Sequence, residues 1–278
     1  MINKHSDTLF KASLQEAFFI SPDTYIHPTA HVDPSVKLGA GVKIGPHCVI
    51  TGNVIIGDRT MVHAYVALGF PAQVVGITKS LGTIEIGSDC QIREFVTIHA
   101  SRYEHGKTSI GNNCYIMNHA HVGHDATLEN HVTLINNVML AGHTYVEHHA
   151  IIMASSATHQ FSRIGAYTAL APYSGIRQDL PPYGIYTGKP ARFSGLNLIG
   201  LRRAGFSAAS IQALKRASTL FYRDKLLLAP LKEALTADSL TAHDPLVKNF
   251  ITFIENSSRG VSRALVHDAH DSHQQEAS

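Results

Sequence analysis

Tryptophan is absent from this 278-residue chain, cysteine occurs three times, and charged residues make up only 16%. Cys48, Cys90 and Cys114 stand in no close pair, so there is no disulfide framework, and a reducing cytoplasm fits. No apolar run reaches 18 residues, which excludes a membrane-spanning helix. The N-terminus carries Asp7 and Glu16 and lacks an apolar core followed by small residues, unlike a secretory signal. Net charge is +2 with the Lys and Arg residues scattered, so the basic stripe of a nucleic-acid binder is missing. With 44% hydrophobic residues and so little charge, the composition is that of a globular protein. The length suits one large domain, or one domain with an appendage.

What the chain has in quantity is histidine (19), glycine (21) and a repeat. From Ile26 an aliphatic residue returns every six positions: Val32, Leu38, Ile44, Ile50, Ile56, Val62, Leu68. The beat resumes at Ile86, Ile92 and Ile98, and again from Ile110 through Ile152. Thr158 misses it, and Ile164, Leu170 and Ile176 restore it. A helix needs a period near 3.6 and a simple strand a period of 2. Six fits short strands that turn a corner at each repeat, three to a coil of about 18 residues, which is a hexapeptide β-helix. The beat points inward and a small or β-branched residue four positions later, such as Val42, Cys48 or Thr60, fills the corner. All three cysteines hold that small position, so they read as packed core thiols. Glycine often follows the beat, as at Gly39, Gly57 and Gly111, where the expectation is that it accepts the backbone angles of the turn.

The predicted organisation is a β-helix over 21–192, with loops at 70–83 and 100–109 that leave the coil and form a binding face. A helical domain covers 193–261, with Ser207 capping a helix over roughly 208–222 and further apolar-periodic stretches near 226–236 and 243–256. Residues 1–20 are expected to form an amphipathic helix capping the open end of the coil. Residues 262–278 read as a disordered tail.

Histidines cluster between 119 and 159, none of them on the inward beat. His121, His124 and His143 fall on adjacent coils, and Asp125 follows His124. Two chemistries use such a wall. One is general-base catalysis by a histidine oriented by a polar neighbour such as Asp125. The other is a zinc site of neutral imidazoles, completed from another coil or subunit.

The hexads together with IREFVTIH (92–99), NHAHVGHD (118–125), LAGHTYVEHHAII (140–152), THQFSRIGA (158–166), SGIRQDLPPYGIYTGKPAR (174–192) and GLNLIGLRRAGFS (195–207) resemble the acyl-carrier-protein-dependent UDP-N-acetylglucosamine O-acyltransferases of lipid A synthesis. The resemblance runs from about residue 26 to 255. It implies a homotrimer of left-handed parallel β-helices with C-terminal helical regions and an active site between subunits. It further implies a cytoplasmic enzyme that needs no metal or other cofactor and takes its acyl group from acyl carrier protein. Residue by residue, His124 matches the general base, Asp125 its acidic partner, and Gly142 the backbone N–H that stabilises the oxyanion. Gln73, His121, His143, His159 and Gln160 match residues lining the donor or sugar, and Asn197 and Arg203 match residues near the nucleotide phosphates. Ala154 and Pro172 match positions facing the acyl tail, and Pro172 stands where long-chain members carry glycine.

Departures lie in the sugar-nucleotide set. The acid that follows the family's glutamine is Val74 here, its lysine is Gly76, the glutamate two positions after the asparagine is Ile199, and the second arginine of the final pair is Ala204. These changes predict weakened binding of UDP-N-acetylglucosamine and leave open a paralogue for another UDP-amino sugar.

Overall fold

A computed structural model describes residues 23–265. The expected capping helix at 1–20 lies outside the described residues. From Tyr25 to Ile176 the chain makes short parallel strands, most of two residues, in three sheets of eight, eight and seven, the first of which two later strands extend to ten. Each strand pairs with the one a coil later in register, as Ile44 with Val62, Val122 with Leu140 and Leu128 with Val146. The result is the left-handed β-helix that the hexads predict. In each pair of strand residues the second points inward. Ile44, Ile92, Ile116, Leu134, Ile152 and Leu170 are fully buried and stack on one another as the inner wall of the ten-stranded sheet. Each such side chain contributes about 1.5–3 kcal/mol by leaving water. Cys48, Cys90 and Cys114 are free thiols packed in the same core.

Thr158 misses the aliphatic beat without leaving a buried hydroxyl unpaired. Its Oγ1 accepts the Ala141 N–H at 2.9 Å and shares a hydrogen bond of 2.8 Å with buried Thr144.

The glycines that follow the beat correct the sequence expectation. At Gly57 an added Cβ would lie 2.6 Å from a backbone carbon of the next coil, and at Gly111 it would lie 2.7 Å from one. Neither has a left-handed φ. Glycine is needed there because successive coils approach too closely for a side chain. The left-handed residue comes two positions later and is rarely glycine: Asn113 (φ 57°), Asp125 (62°), His143 (60°). Asn, Asp and His tolerate that region better than most residues.

These left-handed residues stack into a column along each corner of the prism. The first corner, after the ten-stranded sheet, carries a ladder of His47, Tyr65, Phe95 and His119 with ring centroids 4.8–5.0 Å apart. The third corner carries His131, His149 and Tyr167, each ring 4.6 Å from the next. The second corner, after the eight-stranded sheet, carries Asp125, His143 and Phe161, and one coil before Asp125 in register stands Ser101, without the left-handed φ. Both excursions from the coil, residues 71–82 and 100–106, also leave at this second corner.

Beyond the coil, Gly184–Thr187 pairs antiparallel with Arg192–Leu196. Four α-helices follow: α1 (Leu198–Arg203), α2 (Ala208–Ser218), α3 (Leu228–Ala237) and α4 (Pro245–Glu255). Ser207 caps α2 by accepting the Ser210 N–H at 3.0 Å. Asp244 caps α4, with Pro245 in its first turn. The helix expected to run to 222 changes to a π-turn over Thr219–Arg223. Leu214, Leu231, Phe250 and Phe253 form a second core, tied to the coil where the Tyr186 and Tyr222 hydroxyls meet at 2.8 Å.

Residues 262–265, read from the sequence as part of a tail, are bonded to the coil. Buried Asp179 accepts the Arg163 N–H at 2.8 Å and the Ser257 hydroxyl at 2.7 Å, and its carbonyl accepts the Ser262 N–H at 2.8 Å. Phe193 and Leu265 continue the stitching with a 3.0 Å backbone bond. Residues from 266 onward lie outside the described residues. No helix among the described residues is long and apolar enough to cross a membrane.

Candidate active site

His124 sits third in its hexad, off the inward beat, yet it is only 5% exposed. The 100–106 loop reaches this corner through Ser101 and Arg102, which bond to Asp125, while Gly142 and His143 pack against the His124 ring. The His124 Nδ1–H donates to Oδ2 of Asp125 across 2.8 Å. That bond fixes the tautomer and leaves Nε2 as the basic nitrogen. The carboxylate is held in turn by the Ser101 hydroxyl on Oδ1 and by the Arg102 N–H on Oδ2 at 3.2 Å. The Asp125 N–H donates to Thr108 Oγ1 at 2.8 Å.

Gly142 lies against the imidazole. A Cβ there would come within 2.6 Å of His124 Nε2 and Cε1. The ring therefore occupies the space a side chain would take. Among the described residues the Gly142 N–H has no acceptor, while its carbonyl accepts the Phe161 N–H at 3.2 Å.

His143 stands edge-on to His124, with ring centroids 5.1 Å apart, and stacks on Phe161 at 4.3 Å. Its Nε2 lies 3.7 Å from Asp125 Oδ2, beyond hydrogen-bond range, and is buried without a partner among the described residues. Burial lowers the His143 pKa, an effect that the nearby Asp125 opposes. His121, on the strand His121–Val122, shares a 2.8 Å hydrogen bond with Thr97 and meets the His99 ring edge-on at 5.2 Å. Burial, reinforced by His99 and His124, pushes its pKa down to about 4, so it is neutral at ordinary pH. His99 donates from Nδ1 to the Pro71 carbonyl at 2.6 Å, which ties the 71–82 loop to this wall.

The remaining residues singled out in the sequence stand apart from the dyad. Gln73 is exposed on the first loop. His159 and Gln160 are exposed, with His159 accepting from Arg259 at 3.2 Å. Asn197 is spent locally: its Oδ1 caps α1 through the Gly200 N–H and its Nδ2 donates to the Tyr167 carbonyl at the third corner. Arg203 is exposed at the end of α1. Ala154 and Pro172 hold equivalent turns of successive coils at the first corner, where the Tyr173 N–H donates to the Ala154 carbonyl at 2.9 Å.

Sequence reasoning missed Ser101, Arg102 and Thr108, which position Asp125. Ser101 and Arg102 lie on a loop that has no period and Thr108 on the strand after it (Lys107–Ile110), and only the fourth-place position of Ser101 in its hexad, one coil before Asp125, could have pointed to them. His124, Asp125 and His143 converge within 4.8 Å, close enough to suggest a cation site. The donor set fits one poorly, since the Asp125 carboxylate already accepts three hydrogen bonds and His124 directs its N–H at it.

A parallel coil of hexads with a buried histidine–aspartate dyad on one corner defines a hexapeptide-repeat transferase. The family model described as bacterial transferase hexapeptide (six repeats) matches residues 19–52 and 39–69. The model described as UDP-N-acetylglucosamine O-acyltransferase, domain 2, matches residues 179–262. The acyl-[acyl-carrier-protein]–UDP-N-acetylglucosamine O-acyltransferase of Myxococcus xanthus is 38% identical over 213 residues, which span 76% of this chain and 82% of that protein. Its namesake from Synechocystis is 36% identical over 210 residues, covering 76% and 75% of the two chains. The solved UDP-N-acetylglucosamine acyltransferase of Bacteroides fragilis superimposes with a TM-score of 0.73 at 30% identity, over 88% of this chain and 100% of that one. The Moraxella catarrhalis structure gives 0.68 at 34%, over 88% and 97%. The chain belongs to the acyl-[acyl-carrier-protein]–UDP-N-acetylglucosamine O-acyltransferase family.

Proposed function

We propose that the chain moves a 3-hydroxyacyl group from acyl carrier protein to the 3-hydroxyl of UDP-N-acetylglucosamine, the opening step of lipid A synthesis, with His124 as general base. The observation that carries the reading is the His124–Asp125 dyad with Gly142 packed on its imidazole. His124 Nε2 takes the proton of the sugar hydroxyl as that oxygen attacks the thioester carbonyl. The Gly142 N–H donates to the oxyanion that forms. Collapse expels the carrier's thiolate, which recovers the proton from His124. No covalent enzyme intermediate and no metal enter this sequence. The three free, buried thiols suit a cytoplasmic setting.

Residues that the family resemblance assigns to one substrate sit at two corners of the prism. The dyad is at the second corner, and Asn197 bonds to Tyr167 at the third. One substrate reaches both sets if the second corner of one copy faces the third corner of another, as in a homotrimer. Outward apolar residues concentrate where such copies would meet: Tyr65, Phe95 and Tyr173 on the first corner, Met61 and Ile151 on the ten-stranded sheet, and Met139 on the eight-stranded one.

Incubation with 3-hydroxyacyl carrier protein and UDP-N-acetylglucosamine, read by mass spectrometry, should give the acylated nucleotide sugar. Absence of product, or a His124→Ala variant as fast as the parent, would sink the reading. The competing reading on the same fold is a zinc enzyme of the γ-carbonic-anhydrase type, which the prior engagement of His124 and Asp125 in hydrogen bonds disfavours. Stoichiometric zinc after dialysis, with hydration of carbon dioxide, would select it.

A further inference from the structure

We propose that Ser101 is a positioning residue for the base: its hydroxyl fixes the Asp125 carboxylate so that the carboxylate holds His124 with Nε2 free for the substrate. The inference rests on the acyl-transfer reading above.

Ser101 stands one coil before Asp125 in the second-corner column and is 1% exposed. Its hydroxyl donates to Asp125 Oδ1 and accepts the Tyr103 N–H at 3.0 Å, so its direction is set from both sides. The other carboxylate oxygen is left for the Arg102 N–H and the His124 Nδ1–H. The two oxygens thus divide the work: one anchors to the loop and the other aims the imidazole. Without the hydroxyl, Oδ1 becomes a sheltered acceptor with no donor, and the carboxylate can turn about its Cβ–Cγ bond and carry the imidazole with it.

The surroundings are shaped around this contact. Thr108 Oγ1 accepts the Asp125 N–H and donates to the His99 carbonyl, both at 2.8 Å, which locks the end of the loop to the backbone of the dyad. A Cβ on Gly106 would lie 3.1 Å from both Asp125 Oδ1 and Ser101 Cβ. One on Gly82, the last residue of the first loop, would lie 2.6 Å from Ser101 Cβ. The Gly82 N–H also donates to the Ser101 carbonyl at 3.3 Å. Both excursions from the coil therefore close on Ser101, and two glycines make room for it.

The test is a double-mutant cycle. Ser101→Ala should lower kcat by at least about tenfold, a part of the ~10²–10⁴ that general-base catalysis supplies, with KM within about threefold of the parent. In an Asp125→Asn background the same change should cost less than about twofold, because the group through which Ser101 acts has been altered. An equal factor in both backgrounds, or an unchanged kcat in the single variant, overturns the proposal. Should Ser101→Ala lose its near-ultraviolet circular dichroism, the cycle is run with Ser101→Cys, which keeps the size and a weak donor. His124→Ala in the same series separates the two levels. If it is inactive while Ser101→Ala matches the parent, only the positioning role falls. If it is fully active, the base and the positioning role fall together.

Discussion

The same carboxylate oxygen of Asp125 that holds His124 Nδ1 at 2.8 Å lies 3.7 Å from Nε2 of His143, so one aspartate faces two imidazoles and binds only the first. Only His124 is thereby held with its Nε2 directed away from the carboxylate, the geometry that the proposed base requires. His124→Ala is expected to lower kcat by about 10²–10⁴ with the fold intact, since the ring is outside the stacked aliphatic core. His121→Ala should cost less. Steady-state rates beside circular dichroism check both, and equal losses would move the base assignment elsewhere.

Gly142→Ala should also lower kcat, by less than loss of the base. The added methyl would sit 2.6 Å from His124 Nε2, so the ring has to move. A drop in kcat of about tenfold or more is expected from misalignment alone. A variant with parental kcat would mean that the ring has room the packing denies it.

Stability should fall on mild acidification. His121 has a folded pKa of about 4, below the ~6.5 of an unfolded histidine. The unfolded chain therefore takes up a proton first, so stability is full above about pH 6.5 and is lost as pH falls toward 4. His99 and His143, also lowered chiefly by burial, act in the same direction. The slope from one fully linked group is at most about 1.4 kcal/mol per pH unit. Denaturant titrations from pH 7 to 4 should show it, and His121→Gln should flatten it. An identical slope in that variant would rule His121 out as the source.

Acyl preference should be short. Pro172 follows Ala154 by one coil at the first corner, where its ring fills space that a glycine would leave open. Donors of about ten carbons or fewer should be used best, with a steep fall beyond, because each buried methylene is worth about 0.8 kcal/mol. Equal rates for ten- and fourteen-carbon donors would remove the argument.

Use of UDP-N-acetylglucosamine should be limited by the first loop. Val74 and Ile77 close a tight turn with a 3.0 Å backbone bond, and Gly76 between them has φ of 88°. A lysine there would be strained in this turn. Kinetic comparison with 3-amino and other deoxy-amino UDP-sugars should place UDP-N-acetylglucosamine behind at least one of them. Val74→Asp should raise its kcat/KM by about tenfold, the value of one charge-assisted hydrogen bond. No gain in that variant, with UDP-N-acetylglucosamine already preferred, would show that the missing pair does not matter.

The coil was legible because its rule is strictly periodic: an inward residue meets another inward residue one turn on, as Ile116 meets Leu134. His124 and Asp125 were legible from their motif, and the bonds that hold the Asp125 carboxylate were not, because Ser101 and Arg102 come from an aperiodic loop. The glycines were found for the wrong reason. Contact between coils is a three-dimensional constraint, and a sequence records only that glycine is tolerated. Asn197 was read as a ligand contact, and its capping bonds to Gly200 and Tyr167 belong to a short helix with no apolar period to announce it.

The coil also works as a counting device. One residue inserted within a strand would throw every later side chain onto the wrong corner, whereas a loop extruded at a corner leaves the phase untouched. Leu68 still pairs with Ile98, and Ile98 with Val122, across the two excursions. Change in length is therefore permitted in two forms, whole turns or corner loops, and here both loops were spent on the corner that carries the dyad. A coil built this way can change what surrounds the dyad without disturbing the arithmetic that aligns it.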